Sequence, residues 1–129
     1  MSDMYFREPN QVKWMGSRPG HNGTQVLEHA SATNATVIVY TVPGAHTLFL
    51  THTILDIYST GISTAYLSIY NAVPALVIHI HLSRVQTNRE LSLNNSYWPP
   101  IEIPAAYSVR VQSSAATNIA EATIHGWVE

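Results

Sequence analysis

The sequence of 129 residues contains no cysteine. That excludes a disulfide frame, thiolate chemistry and any cysteine-based metal site. Lysine occurs once, at Lys13, and the formal net charge is −2. A nucleic-acid binder needs clustered lysine and arginine to meet phosphates, so none is expected here. No basic amphipathic helix marks a membrane-surface binder, and no apolar run reaches transmembrane length. The opening MSDMYFREPNQVKW lacks the apolar core of a secretory signal, and no signal is expected there. The sequons at Asn22, Asn34 and Asn94 are accordingly read as chance matches in a threonine-rich chain. Charge itself is scarce. Only 11% of the residues are Asp, Glu, Lys or Arg, against about a quarter in a typical soluble domain. Such a surface has little to keep a lone monomer dispersed. It reads as a surface covered by partners, or as one made polar by Thr, Ser and Asn without charge.

What is present is strand. The strongest signal runs from Ala35 to Ser59, where ATVIVYTV and HTLFLTHTILDIYS flank Val42-Pro43-Gly44-Ala45. Val, Ile, Thr, Tyr and Phe suit a pleated, half-buried surface. Pro43 presets φ for a turn, and Gly44 tolerates the positive φ that a type II turn needs next. The pattern predicts a central antiparallel hairpin. Further strands are expected at Thr24 to His29, Ile62 to Asn71, Leu76 to Ser83, Tyr107 to Ser113 and Asn118 to Trp127, each with period-2 alternation or bounded by turn residues. Ser31 to Asn34 and Thr87 to Glu90 read as turns, and Leu91 to Tyr97 as strand or ordered loop. Trp98-Pro99-Pro100 forces an extended segment, with a trans Trp98–Pro99 bond expected.

No segment has a helical period. About eight strands at this spacing predict an all-β, antiparallel sandwich of jelly-roll type, residues 24–129. Residues 1–23 form a separate N-terminal arm. It is rich in Pro and Gly yet holds Tyr5, Phe6, Trp14 and Met15. Large apolar side chains gain nothing by exposure, so an ordered arm of this composition is expected to dock. It either caps its own sandwich or reaches a neighbouring subunit.

Seven histidines invite a metal reading. The best candidate is His79-Ile80-His81. Two residues apart on a strand, both imidazoles point the same way, opposite Ile78, Ile80 and Leu82. A cupin-type site would need a carboxylate three or four residues on, but Leu82-Ser83-Arg84-Val85 follows. An interface-facing or solvent-facing strand is the preferred reading, and no metal or cofactor is expected. The eight acids are scattered, without a hydrolase motif, phosphate loop or dinucleotide fingerprint. Separate carboxylates can converge in space, as in glycosidases, but a short-looped sandwich leaves little room for a cleft. An enzyme is therefore not expected. Tyr97, Trp98 and Tyr107 offer a stacking platform for a sugar. The plainer reading has Tyr97 and Trp98 plugging the end of the core.

The stretch VYTVPGAHTLFLTHTILDIYSTG resembles a recurrent motif of small β-sandwich virion proteins of tailed bacteriophages: strand, Val-Pro-small-Gly turn, then a Leu-x-Leu-Thr strand. Gly44 and Ala45 stand in exchanged order here. Pro99 to Val109 is similar to the same group's proline-bounded approach to a penultimate strand, though the family usually has glycine near Ala106. The ending Ala122 to Glu129 is similar to their closing strand, with its Gly-aromatic pair. The resemblance covers roughly Ala35 to Glu129. It implies a non-enzymatic component of the virion, made in the host cytoplasm: a capsid decoration or cement protein, a head-fibre base or a tail module. It further implies a homotrimer bound to a major capsid protein or another virion protein. Tyr5, Phe6, Trp14 and Met15 would then be the docking residues, although the arm itself matches no motif. The rival from another class is a carbohydrate- or receptor-binding module of a tail or fibre.

Overall fold

A computed structural model describes residues 23–86 and 88–129. Among them are eight strands: β1 (Thr24–Thr33), β2 (Thr36–Thr41), β3 (Leu48–Ser59), β4 (Ser63–Tyr70), β5 (Leu76–Val85), β6 (Arg89–Ile103), β7 (Ser108–Ser113) and β8 (Asn118–Val128). The described residues contain no helix. β1 pairs with β8, β2 with β7, β3 with β6 and β4 with β5, all antiparallel. The first half of the chain thus runs back along the second, as one long hairpin whose tip is β4–β5. Pairing of β3 with β8 and of β4 with β7 rolls that hairpin into two four-stranded sheets. Their orders are β1-β8-β3-β6 and β2-β7-β4-β5. This is the two-sheet jelly roll that the strand spacing predicts.

The core lies between the sheets. Leu48, Leu50, Leu55, Ala120, Ala122 and Ile124 face inward from the first sheet, and Ala65, Leu67, Val109 and Val111 from the second. All of these side chains have no measurable exposure, and burying each leucine or valine stabilises by about 1.5–3 kcal/mol. Alanine at 120, 122 and 65 lets larger residues opposite interdigitate.

Four local expectations are corrected. β2 and β3 do not form a hairpin, because they lie in different sheets. Their link is tied to the β6–β7 link instead. Val42 N–H donates to Tyr107 O at 2.8 Å, and Ala106 N–H donates to Val42 O at 2.9 Å. Long-range pairing outweighs the local turn. The positive φ falls on Ala45 (62°), one residue after Gly44, and His46 N–H closes the turn on Pro43 O at 3.3 Å. A second turn of the same form ends in Tyr107 N–H to Pro104 O at 3.3 Å, with Ala106 at φ 69°. The expected turn at Ser31 to Asn34 is strand as far as Thr33; the chain bends at Asn34 and Ala35, with Asn34 at φ 50°. Asn tolerates this left-handed region, whereas β1 itself is held by β8. Leu91 to Pro100 is strand throughout, within β6, and the Trp98–Pro99 and Val73–Pro74 bonds are cis. β6 is an edge strand, where prolines are tolerated at a bulge. Its register against β3 jumps from Leu50↔Ile101 to His52↔Ser96 across Tyr97 to Pro100.

Candidate functional site

The candidate H-x-H pair does not form one site. The β4–β5 register shifts after Leu67↔His81, so that Ser68 opposes His79 and Ile80 is the extra residue. One added residue reverses the facing of everything beyond it. His81 therefore points between the sheets, and His79 points to the outside of the second sheet. His79 Nδ1 lies 2.6 Å from Ser68 Oγ, and its ring stacks on Tyr66 with centroids 4.6 Å apart. The expectation that both imidazoles share a face is overturned. Among the described residues no group of three His, Asp or Glu is arranged to hold a metal ion. Of the other histidines, His46 bonds Gly44 O at 2.8 Å, His52 meets Ser96 at 2.9 Å, and His125 meets Gln25 at 3.2 Å.

His81 belongs to a buried polar chain that no sequence pattern marked. Its Nε2 lies 2.8 Å from Thr53 Oγ1 on β3, and Thr53 Oγ1 lies 2.7 Å from Tyr97 OH on β6. Thr53 Oγ1 bridges the two rings, and its one proton goes to one of them while its lone pairs accept from the other. The chain ties three strands of both sheets together. Burial pushes the His81 pKa below its usual 6.5, since the imidazolium would be poorly solvated. Burial also pushes the Tyr97 phenol up, partly offset by hydrogen bonds from Thr53 and Asn95. A histidine depressed in the folded state stays neutral while the unfolded chain takes up a proton. Its stabilisation is therefore complete above about pH 6.5 and is lost as pH falls toward the lowered value. Urea midpoints should drop between pH 7 and pH 5, and His81→Gln should flatten that slope. An unchanged slope in the variant would remove His81 from the account.

Of the three aromatics expected as a platform, Tyr97 turns inward to Thr53, Trp98 is 66% exposed, and Tyr107 is half-buried against the core. Tyr97 thus helps close the core, whereas Trp98 does not. Tyr5, Phe6, Trp14 and Met15 lie outside the described residues.

Carboxylates do converge on the outside of the first sheet. Asp56 opposes Ser92 on one side and Glu121 on the other, and Tyr58 opposes Glu90 and Ile119. Together they line an open depression of ≈ 600 Å³. All three acids are exposed. The depression sits on a sheet face rather than in a cleft, and its lining holds no histidine, lysine or arginine to serve as an acid–base partner.

The other conspicuous surface is β5. It is the edge strand of its sheet, and Leu76, Val77, Ile78 and Leu82 are 47%, 52%, 56% and 59% exposed. Residues 76–82 contain no charge, proline or glycine. Such an edge is a ready template for contact with another chain. The alternation of Ile78, Ile80 and Leu82 suggested one apolar face, but the bulge divides it: Ile80 packs against the core, whereas Leu82 opposes Tyr66 and is exposed. A scan against protein-family models finds no match, and a search of the curated proteins finds no matching relative.

Proposed function

We propose that this protein is a structural component of a tailed-phage virion that binds the outside of the capsid as a homotrimer and stabilises the shell. The observation that carries the reading is the exposed apolar β5 edge in a chain with only 11% charged residues. A surface of that kind is suited to being covered. The sequence resemblance over Ala35 to Glu129 supplies the kind of partner. A cement protein acts by mass action: what binds only the assembled shell stabilises it by RT ln(1 + [L]/Kd). The grip is assigned to Tyr5, Phe6, Trp14 and Met15, because large aromatic anchors dominate binding energy in docked patches.

The test is to delete residues 1–23 and measure binding to assembled particles by co-sedimentation. The β-rich circular dichroism spectrum should persist while binding is lost. Undiminished binding would refute the role of the arm. Trp98, 66% exposed, favours a second reading as a carbohydrate- or receptor-binding module. That reading requires glycan binding by the isolated protein, abolished by Trp98→Ala.

A further inference from the structure

We propose that copies of this chain associate head to tail, the outside of one copy's β2-β7-β4-β5 sheet resting on the outside of the next copy's β1-β8-β3-β6 sheet. The inference rests on the oligomer in the reading above, not on the capsid. Its basis is a division of charge between the sheets. Strands β2, β4, β5 and β7 contain no Asp or Glu and carry Arg84 and Arg110. Strands β1, β3, β6 and β8 carry Glu28, Asp56, Glu90, Glu102 and Glu121 against one arginine, Arg89. By register, and among the described residues, the outside of one sheet presents Arg84 and Arg110, and the outside of the other presents Asp56, Glu90, Glu102 and Glu121.

The negative face is unresolved within one copy. Asp56 and Glu121 stand directly opposite each other on neighbouring strands, an arrangement that destabilises a sheet. Among the described residues neither has a cation as partner. The positive face offers what is missing. Arg110 lies over the Tyr70 ring at 4.9 Å and is braced by Ser108 at 2.9 Å. Tyr66 and His79 stack beside it. Arginine and tyrosine on a surface without carboxylates are the composition of an interface core.

Both faces also present apolar side chains: Ile38 and Leu82 on the positive one (48% and 59% exposed), Leu27 and Tyr58 on the negative one (62% and 46%). Size fits as well. Four strands at about 4.8 Å and eight residues at about 3.4 Å give a face of roughly 19 by 27 Å. That is the scale of a standard interface, about 800 Å² of accessible surface per partner.

The test is the mass of the full chain by sedimentation velocity, with circular dichroism to confirm folding. Wild type should sediment as an oligomer heavier than monomer that dissociates toward monomer near 1 M salt, where screening shortens to about 3 Å. Arg84→Glu with Arg110→Glu should give monomer, and so should Asp56→Lys with Glu121→Lys. The chain carrying all four changes should regain the wild-type mass. A monomeric wild type, folded single-face variants of unchanged mass, or a folded four-fold variant that stays monomeric each overturns the inference. A monomer that still binds particles would do so while leaving the capsid reading intact. An intact oligomer that ignores particles would do the reverse.

Discussion

Gly126→Ala should cost at least about 3 kcal/mol and unfold much of the population under mild conditions. At this position β8 runs against the β3 bulge. The β3 register shifts between Leu50 and His52 against both neighbours, and Thr51 Oγ donates to His125 O at 3.0 Å. A Cβ on Gly126 would lie 2.1 Å from Phe49 O, 3.0 Å from Phe49 C and 3.1 Å from Leu50 Cα. All three are backbone atoms, so no side chain can swing aside. Relief requires moving β3, which is hydrogen-bonded on both edges. Overpacking alone typically costs about 1–3 kcal/mol, and a displaced central strand adds lost hydrogen bonds to that. Against a total stability of about 5–15 kcal/mol this is a large fraction. Gly44→Ala is the control, since its added methyl meets nothing within 4 Å. It should shift stability by no more than about 0.5 kcal/mol. Urea denaturation of the two variants decides the matter, and equal midpoints would show that the seam yields.

Trp127→Ala should cost about 3–5 kcal/mol, the range for deleting a large buried aromatic side chain. Trp127 has no exposed surface. Its ring stacks on Phe49 with centroids 5.2 Å apart and planes 13° from parallel. Its Nε1–H donates to Glu129 Oε2 at 2.9 Å. Trp127→Phe keeps most of the ring contact and loses that bond, so its cost should be smaller, with about 1 kcal/mol from the hydrogen bond. Denaturant titrations of both would test the ordering. A tryptophan deletion costing under about 1 kcal/mol would mean that the stack contributes little.

These two residues adjoin each other, and the sequence hinted at both through a Gly-aromatic pair in a terminal strand. The hint reached no further because the clash partner is the backbone of β3, 77 positions away from Gly126 in the chain. The same limit applies elsewhere. Period-2 alternation placed strands well where burial alternates, as from Thr51 to Ser59 and from Asn118 to Gly126. It failed at Ile80, because alternation assumes an unbroken register and one bulged residue inverts it. The turn at Pro43 was legible from Pro and Gly chemistry, but not that the two strands it joins enter different sheets. Turn residues set local φ, whereas partners are chosen by burial over long range. Thr53, at the centre of the His81–Tyr97 chain, looked like any β-branched strand residue. The proposed docking residues of the arm lie beyond what the structure describes, so nothing in the fold bears on them.

The pairing of β1 with β8 has a consequence for how the protein is made. β8 is an interior strand of its sheet, between β1 and β3, yet it is the last of the eight to leave the ribosome. Until it arrives, β1 and β3 have no shared neighbour, and their inward faces wait unpaired. Closing ends so distant in the chain is the slow kind of topology, on the order of milliseconds to seconds. A nascent chain stalled before Asn118 would therefore expose sticky, half-built sheets, and crowded polysomes are where misassembly should begin.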